Sequence, residues 1–277
     1  MLWVTLLLNL AVSAAKVAVG KLTGSLSMVA DGYHSLVDGS NNVVGLIVAV
    51  FAYAPPDAGH PYGHRKFETT ATLVIGGALL LLAYEVVSGA LGRSAQAPAP
   101  AVGPLNWSVM LATLATNLYV SAYEAREGRR LGSAYLVADA AHTRSDLYVS
   151  LGVIGSFVGV RAGWTWTDSL VAVLIAAVIA TQASKILIGA FNVLTDRAAL
   201  APEPLLEIVR GVPGVRQCRE LRTRGGPNAV HVDLIAHVDG NLALREAHRV
   251  ADQIESSLKA ARPEIVDVVV HLEPAEG

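Results

Sequence analysis

The chain has 277 residues, of which 53% are hydrophobic and 16% charged, with a formal net charge of −2. So nearly neutral a protein offers no electrostatic case for nucleic acid or an acidic partner, and its lone cysteine, Cys218, excludes an internal disulfide framework and a cysteine-cluster zinc site. Mean hydropathy is +0.46, and the apolar residues fall in long blocks, which describes a polytopic membrane protein with a polar tail.

Six blocks are long enough for a hydrocarbon core of about 30 Å, which takes roughly 20 residues. The predicted spans lie near 2–22, 26–53, 67–91, 105–125, 133–160 and 166–193. Met1-Leu2-Trp3 opens into apolar sequence without a basic region, so the first block is expected to be a retained helix rather than a cleavable leader. Lys16 and Lys21 punctuate or flank that block, and Gly24-Ser25 forms a tight link to the second. Pro55 and Pro56 end the second, Arg93 to Pro104 reads as an extended connector, Glu124 to Arg130 as a charged loop, and Arg161-Ala162-Gly163 as a short turn.

Basic residues in the connections alternate by side. Arg65, Lys66, Arg126, Arg129, Arg130 and Arg197 form the richer set, against Lys21, Arg93 and Arg161. The richer side is expected to be cytoplasmic, which places both termini inside. Three spans per half make the two halves an inverted repeat, a plan that puts transport sites near mid-membrane where the halves meet.

The tail is expected to be a separate soluble domain, dividing the chain into a membrane domain over 1–198 and a cytoplasmic one over 199–277. Helix over Pro202–Val209, strands over Gly214–Arg224 and Ala229–Val238, an amphipathic helix over Leu242–Ala261 and a strand over Ile265–Leu272 give the order αββαβ. That is a small open sheet covered by helices, at a size that gains from a partner copy. His231, Asp233, His237, His248, His271 and Glu273 crowd it with potential ligands, though each alone is more often a surface or capping residue.

Two of the membrane blocks share a motif. Val29-Ala30-Asp31-Gly32-Tyr33-His34-Ser35-Leu36-Val37-Asp38 is matched 108 residues later by Val137-Ala138-Asp139-Ala140-Ala141-His142-Thr143-Arg144-Ser145-Asp146. Positions i, i+3 and i+7 share one face of a helix, so Asp31, His34 and Asp38 form one stripe and Asp139, His142 and Asp146 another. Ionisable groups at bilayer depth cost about 2.5–3.5 kcal/mol each on insertion scales and mark ion or proton paths. If the two helices face each other, His34, Asp38, His142 and Asp146 supply two nitrogens and two carboxylates, a set suited to a tetrahedral divalent ion such as zinc. The bland alternative is buried hydrogen-bond pairs fixing helix register. Asp31 lies on the outer side of its histidine and Asp139 on the inner side of its own, so the pair reads as stepping ligands or proton carriers, with helix–helix hydrogen bonding the alternative.

The loop Asp57-Ala58-Gly59-His60-Pro61-Tyr62-Gly63-His64 places an acid and two histidines at intervals of three and four, among Gly and Pro that bend the chain. They can converge on one metal without a helix, or form a solvated polar loop. Lys66 and Asp196, at the inner edges of the third and sixth spans, are expected to pair where the bundle meets the tail, an interaction worth about 0–1 kcal/mol if exposed.

These features together resemble the cation diffusion facilitators, proton-coupled exporters of zinc and related metals. The resemblance covers nearly the whole chain and rests on HSLVD (His34 to Asp38), GHPYGHRKFE (Gly59 to Glu68), ADAAHTRSD (Ala138 to Asp146), LTDRA (Leu194 to Ala198), ELRTR (Glu220 to Arg224), EAHRVADQIE (Glu246 to Glu255) and VVVHLEP (Val268 to Pro274). It implies a transport site of His34, Asp38, His142 and Asp146 and a secondary loop site of Asp57, His60 and His64. It also implies tail ligands at His248, His271 and Glu273. Arg219 and Ile235 stand where many members carry histidine, so the usual two-metal tail cluster is expected to be incomplete, with Asp233 as a substitute. The His-Asp/His-Asp set goes with Zn²⁺, Co²⁺, Cd²⁺ and Fe²⁺ being the other candidates, whereas a manganese member would show an acid-rich set. A homodimer through the tail, in a bacterial inner membrane, completes the expectation.

Metal and protons compete for the same deprotonated ligands, which is enough to couple their fluxes. Two other function classes compete with transport. A membrane-embedded metal hydrolase would need an open coordination position and a general base, and the chain has no H-E-x-x-H motif. A metal sensor or scaffold without transport would be expected to show degenerate ligands, and here the set is intact.

Overall fold

Long runs of apolar and small residues without interior proline make six helices of the first two thirds of the chain, seen here in a computed structural model. The structure describes residues 2–47, 54–55, 57–93, 98–131, 134–227 and 229–275. Within these, it describes the backbone alone at 2–9, 38, 40–47, 124, 127–128, 131, 134–142 and 145. The helices are α1 (Leu2–Thr23), α2 (Leu26–Ile47), α3 (Lys66–Gly92), α4 (Pro104–Leu131), α5 (Ala134–Arg161) and α6 (Trp166–Leu194). Among the described residues, α3 and α6 are long and apolar enough on composition to cross a membrane.

The chain divides into two units, 1–187 and 188–277, each considered by itself. In the first, α1 and α2 form a hairpin whose turn depends on Gly24 at φ 70°, a conformation open to glycine at little cost. The two helices then pack closely through small residues. A Cβ on Gly32 would lie 2.6 Å from Val17 Cγ2, and one on Gly20 2.8 Å from Val29 Cγ2, so these glycines let one helix sit directly on the other. Met28, Val29 and Val37 of α2 join Val153 and Phe157 of α5 and Ala172, Ile175 and Ile179 of α6 in one apolar core.

Pro104 opens α4, where its missing N–H is no loss. The helix then runs unbroken to Leu131, which corrects the expected loop at Glu124–Arg130. Charged residues on the exposed side of a helix carry the same composition as a loop, and only the backbone distinguishes them.

The tail comprises α7 (Pro202–Arg210), β1 (Gln217–Gly226), β2 (Ala229–Val238), α8 (Leu244–Ala261) and β3 (Ile265–Pro274). The sheet order is β1-β2-β3, with β1/β2 antiparallel and β2/β3 parallel across the α8 crossover. Alternation along β2 buries Val230, Val232, Leu234, Ala236 and Val238. These residues form one core with Leu205 and Val209 of α7 and Ile254 and Leu258 of α8. The opposite face presents His231, Asp233, Ile235 and His237, and is half-open. A bulge between Arg219 and Arg222, with Glu220 at φ 49°, interrupts β1.

Candidate metal centre

α2 and α5 pack against each other, and the contact brings two residues of the repeated motif together. His34 Nε2 lies 3.3 Å from Asp146 Oδ1, the imidazole side chain 4% exposed and the carboxylate 16%. Both atoms are donors that divalent metals accept, and a cation between them would satisfy a buried acceptor that water reaches only partly. Asp38 and His142 belong to the helices on either side of this contact, each four residues from its motif partner. Their side chains, and that of Asp139, lie outside the described residues.

Asp31 has a partner on another helix. Lys16 Nζ of α1 is 2.8 Å from Asp31 Oδ2, with both side chains at most 2% exposed. The same ammonium donates to Ser35 Oγ at 3.1 Å. Next to it, Ser13 Oγ donates to the Gly32 carbonyl at 2.7 Å. A buried charge needs a partner and further hydrogen bonds to be tolerated; one turn away from His34, α1 supplies the partner and Ser35 of α2 a hydrogen bond to the ammonium. The sequence signal was a single lysine inside an apolar span, which by the cost of burying charge points to an acid on a neighbouring helix.

The loop before α3 forms a second group. Among the described residues it is the one set of three metal-ligating side chains whose ligand atoms converge, all within 4.8 Å of one another. Asp57 Oδ1 accepts the backbone N–H groups of Gly59 (2.9 Å) and His60 (2.6 Å), and Gly63 at φ 83° turns the chain so that His64 comes back toward them. His60 Nδ1 and His64 Nε2 stand 3.3 and 3.4 Å from the two oxygens of Asp57. His64 Nδ1 is buried without a hydrogen-bond partner. The His60 N–H, ahead of the smaller contributions, holds the Asp57 carboxyl below the usual carboxylate range. An ionised acid beside two imidazoles fits a divalent cation.

In the tail the expected ligands are spread out. Glu273 Oε1 is 3.5 Å from His271 Nε2, and its Oε2 is 3.8 Å from His237 Nε2 across the β2/β3 register. His248 faces Asp252 on its own helix at 3.7 Å, and Asp233 is drawn to Arg224 Nε at 3.7 Å. Lys66 is the first residue of α3, and Asp196, just past α6, is exposed at φ 51°.

The family model for the cation efflux transmembrane domain matches residues 2–195, and that for the cytoplasmic domain of cation efflux proteins matches 202–275. This chain is a cation diffusion facilitator. The family is one of divalent cation efflux transporters in membranes, and the αββαβ tail is its cytoplasmic domain. Similar proteins include the cation-efflux pump FieF of Shewanella oneidensis, 31% identical over 92% of this chain and 86% of that one. The manganese efflux system protein MneS of Bacillus subtilis is 29% identical over 96% and 92%. The MamM C-terminal domain, among solved structures, is 25% identical at a TM-score of 0.26, covering 26% of this chain and 92% of that one.

Sequence reasoning passed over Asp168. It is completely buried at the start of α6, where an acid reads as an ordinary first-turn residue complementing the helix dipole. Its partners are far away in the chain, so no local pattern announces them.

Proposed function

We propose that this cation diffusion facilitator exports Zn²⁺ from the cytoplasm in exchange for outside protons, holding the ion between α2 and α5 on His34, Asp38, His142 and Asp146. The observation that carries the reading is the 3.3 Å approach of His34 Nε2 to Asp146 Oδ1, an imidazole and a carboxylate from symmetry-matched motifs. With the bundle open inward, the metal displaces protons from these ligands. Once it opens outward, protons displace the metal. Imidazole suits this exchange because its charge changes in the physiological pH range, and two carboxylates balance the charge of the ion in a low-dielectric site.

Six spans in an inverted repeat, with both ends of the chain on the cytoplasmic side of a bacterial inner membrane, accommodate this cycle. The tail joins two copies, and Asp57, His60 and His64 take a second metal that biases the inward and outward states. An effector of this kind must bind one state more tightly to shift the balance.

A relative named for manganese efflux makes Mn²⁺ the competing substrate. Imidazole ligands weigh toward zinc over manganese, which prefers oxygen donors. Metal flux into proteoliposomes, measured under an imposed pH gradient with Zn²⁺, Co²⁺, Cd²⁺, Fe²⁺ and Mn²⁺ in turn, tests the reading. Zinc uptake that collapses with the gradient supports it; manganese uptake exceeding zinc, or flux indifferent to the gradient, overturns it.

A further inference from the structure

Asp168 receives more hydrogen bonds than its place at a helix start requires. Its Oδ1 accepts from Ser25 Oγ at 2.8 Å, Ser27 Oγ at 2.6 Å and the Ser27 N–H at 3.2 Å. Oδ2 accepts from the Leu26 N–H at 2.8 Å and from Arg93 Nη1 at 2.9 Å. Arg93, at the end of α3, also donates through Nη2 to the Gly24 carbonyl. Ser27 Oγ lies 2.9 Å from Ser156 Oγ of α5. One fully buried carboxylate therefore caps the N-terminus of α2, balances its charge on α3 and reaches α5 through a single serine.

The two helices it joins at that end carry the metal ligands further along, His34 in the first half of α2 and Asp146 near the middle of α5. His34 stands about 12 Å along α2 from Leu26, and Asp146 about 15 Å along α5 from Ser156, at 1.5 Å per residue. Over such a lever arm, a tilt of about 5° at the pinned end displaces a ligand by roughly 1 Å, several times the tolerance of about 0.2 Å of a metal–ligand bond. Neutralising Arg93 alone does not require this geometry. A carboxylate that only balanced charge would not need four further donors from the α1–α2 turn or a link onward to α5.

We infer that Asp168 is a positioning residue for the transport site, pinning α2 and α5 to each other at one end so that His34 and Asp146 are held at metal-binding separation. It acts through the two helices and does not touch the ion. The inference rests on the proposed transport site at His34 and Asp146.

The test is zinc transport by Asp168→Asn and Ser156→Ala in proteoliposomes, together with Co²⁺ absorption spectra of the purified proteins in a His60→Ala background that silences the loop. Ser156→Ala removes the onward contact to α5 and the hydroxyl's bond to the Val153 carbonyl of its own helix, leaving all five donors to Asp168. Supporting groups of metal sites typically change metal affinity 10–100-fold, so Asp168→Asn is expected to raise the KM for zinc by about tenfold or more. Ser156→Ala should raise it by about threefold, and both should leave the maximal rate within about a factor of three. Both should also weaken the tetrahedral Co²⁺ band, which a purely structural role in a folded protein would not move. Unchanged KM and spectrum in folded Asp168→Asn overturn the inference. If that variant does not fold, unchanged values in Ser156→Ala overturn it. Should wild type show no tetrahedral band that His34→Ala removes, the transport site itself is misassigned, a failure distinguishable from either of the others.

Discussion

His34 on α2 and Asp146 on α5 meet at 3.3 Å although 112 residues separate them in the chain. Each belongs to one copy of the repeated motif, so the contact joins the halves of the membrane domain through the histidine of one copy and the second aspartate of the other. Replacing His34, Asp38, His142 or Asp146 by alanine is expected to reduce zinc flux in proteoliposomes to background. Size-exclusion profiles and helical circular dichroism should stay those of wild type. Loss of the fold in all four would mean that these residues pack the bundle and do not carry the ion.

Lys16 and Asp31 make a separate prediction. Removing one partner of a buried pair leaves an uncompensated charge and costs about 3–5 kcal/mol, whereas replacing both with apolar residues is close to neutral. Lys16→Met should therefore lower the melting temperature by on the order of 10 °C, and Lys16→Met/Asp31→Leu should restore most of it. The double variant is expected to transport. A stable double variant without flux would place Asp31 on the ion path.

For the loop, the sign of the pH dependence follows from its groups. The Asp57 carboxyl is held below its ordinary value of 3.8, so its contribution to the turn is present above that value and is lost only as pH falls through the depressed one. Imidazole must be neutral to bind metal, so protons compete with zinc for the loop. Zinc binding by the loop should accordingly weaken as pH falls from about 7.5 to 5.5 while the turn stays intact. Metal counting by mass spectrometry on wild type and His64→Ala, across that range, would show one equivalent lost with pH in the first and missing throughout in the second.

Cys218 is buried in the tail, and desolvation pushes its thiol pKa up against the smaller lowering effect of Arg210. Because the folded state disfavours thiolate, stability is lost as pH rises through the raised value, and alkylation is slow below it. Iodoacetamide at pH 8 should label the native protein more slowly than the protein in denaturant, because the buried thiol is both less ionised and less accessible. Equal rates would mean that Cys218 does not point into the tail core formed with α7 and α8.

Much of this architecture could be read from the amino-acid order. Apolar blocks and their punctuation located the starts of the six helices to within a residue, because a lipid-crossing segment imposes its length directly, while the charged end of α4 was missed. Alternation in β2 gave its two faces for the same kind of reason. What escaped depends on contacts between distant segments. Lys16 looked like a boundary marker until α1 was packed on α2, and Asp168 looked like a helix-start acid until the turn at Ser25 was folded over it. The bulge at Glu220 has no signature in a strand of ordinary composition. Asp57, His60 and His64 were legible because three ligands within eight residues, bent by glycine and proline, need no tertiary information to converge.

The unbroken course of α4 also bears on where the protein meets its lipid. Twenty-eight residues rise about 42 Å at 1.5 Å each, some 12 Å beyond a hydrocarbon layer of about 30 Å. Arg126, Arg129 and Arg130 occupy that surplus. If α4 spans the membrane, a rigid rod ending in guanidinium groups at headgroup depth would be drawn to anionic phospholipid, and leaflet composition would then set the depth and tilt of the helix.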